Sequence, residues 1–216
     1  LGPNTTTWID YSSYPTGEEI YYRVYAYYQS YVSGYAENSI RYCFGSIIDP
    51  RDGQEYDVTL IDEHCWMAGN LNFGTMINGG VEMTNNGIYE KYCYGNTENN
   101  CIAMGGLYQW NEMMNYSEDP LSQGLCPPGW HVSTWEEWEN LIEYAGGYDH
   151  AGKKLKSTNL WYNNGNGTDN YDFTALPGGR WDYLDDEFQR QFEMAIFWSS
   201  RKIAWNLSKA YNMGYN

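Results

Sequence analysis

Apolar positions near the start of the chain alternate with their neighbours. Ile20, Tyr22, Val24, Ala26 and Tyr28 share one parity, and Tyr21, Arg23, Tyr25 and Tyr27 the other, the period-two pattern of a strand. A polar tip ending at Gly34 then leads into residues 35–40, which read as the returning strand of a hairpin. A second strand signal covers residues 56–61 and runs into Cys65-Trp66-Met67. The period changes after Gly105-Gly106, where Leu107, Trp110, Met113 and Met114 recur at helical spacing and predict a short helix with an apolar stripe. The clearest helix begins at Thr134. A capping box to Glu137 precedes Trp135, Trp138, Leu141, Ile142 and Ala145 on one side, and Gly146-Gly147 ends it. Beyond a basic island at residues 153–156 and a polar loop at 163–172, Phe173 to Leu176 reads as a buried strand stopped by Pro177-Gly178-Gly179.

Composition narrows the function classes. The 216 residues carry 28 acidic and 12 basic side chains, a formal net charge of −16, with no Lys/Arg cluster beyond the short island at 153–156 to neutralise a phosphate backbone, so nucleic acid is not an expected partner. Aromatic residues make up 18%, ample apolar area for a folded core rather than a disordered acidic chain. The longest apolar runs, such as Ala195 to Trp198, fall far short of the ~20 residues that span a bilayer. The first residues have neither a charged nor an apolar leader region, so the chain reads as processed or as a fragment.

Five cysteines, at 43, 65, 93, 101 and 126, include no CxxC pair, which argues against a zinc ribbon or a thioredoxin motif. Cys93 and Cys101 bracket a polar Asn/Gly-rich stretch that a short disulfide would restrain. Cys43 and Cys65 flank a strand-turn-strand around Asp52-Gly53 and suit a second bridge, although sequence alone does not fix connectivity. With these pairs Cys126 is left over. The pattern fits an oxidising compartment, and a secreted or cell-surface location is the expectation.

The hairpin segment resembles the end of a fibronectin type III domain, whose penultimate strand often reads Tyr-x-Arg-Val-x-Ala. That resemblance implies a seven-stranded sandwich of which only two or three strands are present here. The expected division is therefore a partial fibronectin type III-like β segment at 1–41 and a second domain at 42–216.

The second domain carries three signature segments: Cys65-Trp66-Met67-Ala68-Gly69-Asn70-Leu71-Asn72, the run from Gly105 to Met114, and Cys126-Pro127-Pro128-Gly129-Trp130-His131-Val132. With Thr134 to Trp138, residues 151–156, Phe173 to Gly179 and Phe197-Trp198-Ser199-Ser200, they resemble the FISUMP (Fibrobacter succinogenes major paralogous domain) family over residues 43–200, a family of secreted and surface proteins. Residues 130–138 are also similar to a segment of formylglycine-generating enzymes. This implies an α+β, C-type-lectin-like fold with short strands, two or three helices and long loops. Family members usually close with a strand containing Val-Arg-Cys, which is absent here. The resemblance gives its cysteine the role of pairing with the counterpart of Cys126.

Candidate chemistry is sparse. Formylglycine-generating enzymes use two cysteines late in the chain, whereas every cysteine here lies at or before Cys126. His64, His131 and His150 have no accompanying nucleophile motif, and no enzymatic activity is expected. His131 instead reads as a hydrogen-bonded residue of the turn before the capped helix. No cofactor is required, but two oxygen-rich loops leave calcium open, with Asn166, Asp169 and Asp172 in one and Asp182, Asp185 and Asp186 in the other; neither has EF-hand spacing. Trp161-Tyr162 and Trp181 with Tyr183 would suit a glycan-stacking surface if exposed. The leading expectation is a non-catalytic structural or adhesion module of a bacterial surface protein, partnered by other surface chains or by copies of itself in a strand-exchanged filament. The alternatives are a carbohydrate-binding module and an oxidoreductase of the formylglycine-generating type.

Overall fold

The structure is a computed structural model that describes residues 19–28, 31–41, 43, 45–204 and 207–215. It begins with an antiparallel hairpin of β1 (Glu19–Tyr28) and β2 (Tyr31–Arg41), followed by a meander of β3 (Ser46–Ile48), β4 (Glu55–Ile61) and β5 (His64–Met67). Next come a parallel pair, β6 (Thr75–Ile77) with β7 (Glu90–Tyr92), and the helices α1 (Glu98–Met104), α2 (Trp110–Met113), α3 (Trp135–Tyr144) and α4 (Tyr148–Leu155). Two antiparallel pairs close the chain, β8 (Arg180–Asp182) with β9 (Glu187–Gln189) and β10 (Met194–Ala204) with β11 (Leu207–Gly214). The architecture is mixed α and β, with short strands and few helices. Among the described residues no helix is long and apolar enough to cross a membrane.

The first hairpin turns earlier than the polar pattern predicts. Tyr28 already pairs with Tyr31, so Gly34 lies inside β2, opposite the register shift between Tyr25 and Tyr27. A glycine within a strand commonly marks such a bulge, and here it imitated a turn.

The capped helix forms as its sequence predicts. The Thr134 hydroxyl accepts from the Glu137 amide at 3.1 Å, while the Glu137 carboxylate accepts from the Thr134 amide at 2.7 Å. Two left-handed glycines, Gly146 (φ 100°) and Gly147 (φ 82°), end it. Two further helices lacked a strong sequence signal. α1 starts inside the Asn-rich loop between Cys93 and Cys101 and runs past it to Met104, burying Cys101 and Met104. α4 includes the basic island, burying Ala151 and Leu155 while Lys153 and Lys154 sit at its negative C-terminal end.

The strand expected at Phe173 to Leu176 does not form. Ala175 makes a single bridge to Lys156, and Asp172 and Thr174 have positive φ of 53° and 52°. Asp169 holds this turn by accepting from both the amide and the hydroxyl of Thr174, each at 2.8 Å. Phe173 and Ala175 are nevertheless buried, so the apolar pattern reported burial but not extended backbone.

The main core gathers on Trp138. Its ring lies 5.2 Å from Trp66, 5.4 Å from Phe197 and 5.3 Å from Tyr211, centroid to centroid, joining α3 to β5, β10 and β11. A second cluster of Trp110, Met113, Met114 and Val132 packs with Tyr108, Cys126 and Trp198.

Candidate functional site

The signature segments, distant in sequence, converge on one cleft of about 490 Å³. Its walls are β5 with residues 69–71, the Gly106-Leu107-Tyr108 run, residues 125–126 and 129–133, the first turn of α3, the Leu176 to Gly179 stretch, and residues 195–198 of β10.

Polar groups of these segments fix the walls. Asn70 donates to the carbonyl of Met104 at 2.6 Å, and Gly106 donates its amide to Leu71 at 2.8 Å. Gly105 has φ of 81°, and a Cβ there would stand 2.3 Å from that of Asn70, so the close approach requires glycine. The Trp198 indole donates to the Tyr108 carbonyl at 2.9 Å, and the Trp110 indole to Ser199 at 2.8 Å. Opposite them, Arg51 reaches the Leu125 carbonyl at 2.8 Å while paired with the buried Asp49 at 2.6 Å. The tryptophans and amides of the signature thus act as ties between loops.

Two titratable groups in the cleft are displaced from their ordinary values. Burial pushes the Glu137 carboxyl up, but hydrogen bonds from His131 and from the amide and hydroxyl of Thr134 outweigh it and leave it at about 2. The His131 Nε2 lies 2.9 Å from Glu137, which places this histidine in the capping arrangement of α3. Burial pushes the Cys126 thiol up to about 12, so at neutral pH it is protonated and a poor nucleophile.

The other expected site residues are more scattered. Cys93 and Cys101 form a disulfide, S–S 2.02 Å. Cys43 is buried ahead of β3, and Cys65 is half-buried on β5. Trp161 is a correction to the glycan-stacking surface: it is only 4% exposed, and its indole donates to Ser157 and Ala175, so it presents no face to solvent. Trp181 is half-buried, its ring packed on Phe188 at 4.7 Å and so close to Gly79 that a Cβ there would stand 2.4 Å away. Tyr162 and Tyr183 are exposed, the latter between β8 and β9.

Several side chains of the oxygen-rich loops accept from protein donors. Asn166 accepts from the Trp161 amide at 3.0 Å, Asp182 accepts from the Leu184 amide at 3.0 Å and pairs with Arg180, and Asp185 accepts from Gln189 at 2.7 Å. Asp172 occupies a left-handed turn position, and Asp186 lies against Gly80. Among the described residues no three His, Cys, Asp or Glu side chains converge as a metal site.

The cleft itself was not visible in the sequence. Its walls are short segments separated by long intervals, and periodicity does not distinguish an edge strand from a central one.

No curated protein and no solved structure gives a significant match to this sequence. A family model does match, over residues 60–214, and therefore spans the cleft and both core clusters. The chain belongs to the Fibrobacter succinogenes major domain family.

Proposed function

We propose that this domain is a non-catalytic, extracellular module of a bacterial surface protein, and that its cleft accepts an extended strand from a neighbouring chain. One observation carries this reading. β5 and β10 both line the cleft, and among the described residues each is paired with another strand on one edge only, β5 with β4 and β10 with β11. β10 is tied to loops at its ends, Met194 accepting from the Gly179 amide and Ser200 donating to Ser133, both at 2.9 Å, which leaves 195–198 beside β5 with no second strand among the described residues. Such edges beside a mostly apolar cleft are a template for strand addition, in which main-chain hydrogen bonds give affinity and side-chain pockets give specificity. A strand of the family's Val-Arg-Cys type would bring its cysteine toward Cys126, which lines the same cleft.

The Cys93–Cys101 disulfide supports an oxidising location. Within this reading the domain is C-type-lectin-like, the hairpin β1–β2 belongs to a fibronectin type III-like segment at 1–41, and Cys43 and Cys65 form a second bridge. A donor that is another copy of the chain would generate a filament when the exchange does not close.

The test is electron microscopy of native surface material beside that of a Leu71→Arg variant, which places a charge in the cleft wall. Filaments or fixed-stoichiometry complexes in the first and isolated particles in the second are expected. Isolated particles from both would overturn strand acceptance. Saturable glycan binding lost on changing Tyr162 or Tyr183 to Ala would favour the carbohydrate-binding alternative, and thiol-dependent oxygen uptake the oxidoreductase.

A further inference from the structure

Lys91 is the central residue of β7, and its side chain is only 5% exposed. Its Nζ lies 2.7 Å from the Asn72 carboxamide oxygen, 3.1 Å from the Asn72 carbonyl and 3.2 Å from the Glu98 carboxylate. An amine, a carboxamide and a carboxylate are thus held together with little water around the amine. We propose that Lys91 and Asn72 condense into an intramolecular isopeptide bond, with Glu98 as the catalytic residue that carries the protons.

The chemistry balances without a co-reactant. The Lys91 ammonium gives a proton to Glu98, and the freed amine attacks the Asn72 Cγ, forming a C–N bond and a tetrahedral centre. Glu98 returns the proton to the carboxamide nitrogen, the Cγ–Nδ2 bond breaks, and ammonia leaves. The amine's remaining surplus proton departs with the leaving group, giving a neutral secondary amide and an ammonium ion.

Three features favour this reaction at this place. Asn72 is fixed on both sides of its peptide: its amide donates to the Tyr56 hydroxyl at 3.2 Å, and its carbonyl accepts from Gln54 at 2.9 Å. With the backbone anchored, the carboxamide oxygen accepts from Lys91 at 2.7 Å, which sets its Cγ beside the amine. Glu98 opens α1 within the disulfide loop, so the Cys93–Cys101 bond keeps the start of this helix close to β7. Glu98 is also half exposed, 51% for the side chain, which gives protons and ammonia a route to water.

The experiment is intact mass of the full chain after denaturation and reduction, followed by peptide mapping. The expected result is a chain lighter than its sequence by one ammonia, with a branched peptide joining residues 72 and 91. Glu98→Gln is expected to keep the Cys93–Cys101 disulfide and native circular dichroism while retaining full mass and a free Lys91. Full sequence mass in the unaltered chain after long incubation would overturn the proposal. So would an ammonia loss mapped to an Asn-Gly site such as Asn86-Gly87 with Lys91 unmodified, because succinimide formation loses the same molecule.

Discussion

Glu137 does two jobs with one carboxylate: it accepts from the amide and hydroxyl of Thr134 at the start of α3, and it receives His131. Its folded pKa is depressed from 4.5 to about 2, so its contribution to stability is fully present above 4.5 and is lost as pH falls toward about 2. Urea midpoints measured across that acid range should fall more steeply in the native chain than in Glu137→Gln, and a parallel decline would contradict the assignment. Cys126 makes a second residue-scale prediction. With its thiol pushed up to about 12 by burial, alkylation at neutral pH should be many-fold slower than for an exposed cysteine and should accelerate on unfolding. The capping box was legible because it is a local pattern. The Lys91, Asn72 and Glu98 cluster was not, because it joins β7, the segment after β5 and a helix that lay hidden in a polar loop.

At the scale of elements, α3 is the organiser of the core. Thr134→Ala removes one capping bond and should cost about 1 kcal/mol. Trp138→Ala empties the centre shared with Trp66, Phe173, Phe197 and Tyr211 and should cost about 3–5 kcal/mol, both read from denaturant unfolding. The Cys93–Cys101 bridge closes a short loop that holds the first turn of α1, and Cys101→Ala should destabilise by about 2 kcal/mol or more. Elements announced by their own periodicity, β4, β5, α2 and α3, were readable from the sequence. α1 was not, since it offers no apolar stripe: its burial rests on Cys101 and Met104 alone, and Ile102 is exposed. The segment at 173–176 failed differently: its apolar residues are buried, yet Asp172 and Thr174 need left-handed backbone that the hydrophobic pattern does not report.

At the scale of the molecule, the described residues form five small sheets that leave many strand edges to be managed, and residues of β5 and β10 line a common cleft. The family signature is spent on building that cleft, through the Asn70, Trp110 and Trp198 ties, which is why the family could be read from the sequence while the cleft could not. Strand acceptance makes the state of these two edges the decisive quantity. The most direct measurement is hydrogen exchange at the amides of His64 to Met67 and Ala195 to Trp198, compared between native surface material and the isolated chain. The account predicts that these amides exchange many-fold more slowly in the native material, while the amides of α4 are unchanged. Equal exchange at β5 and β10 in the two preparations would contradict it.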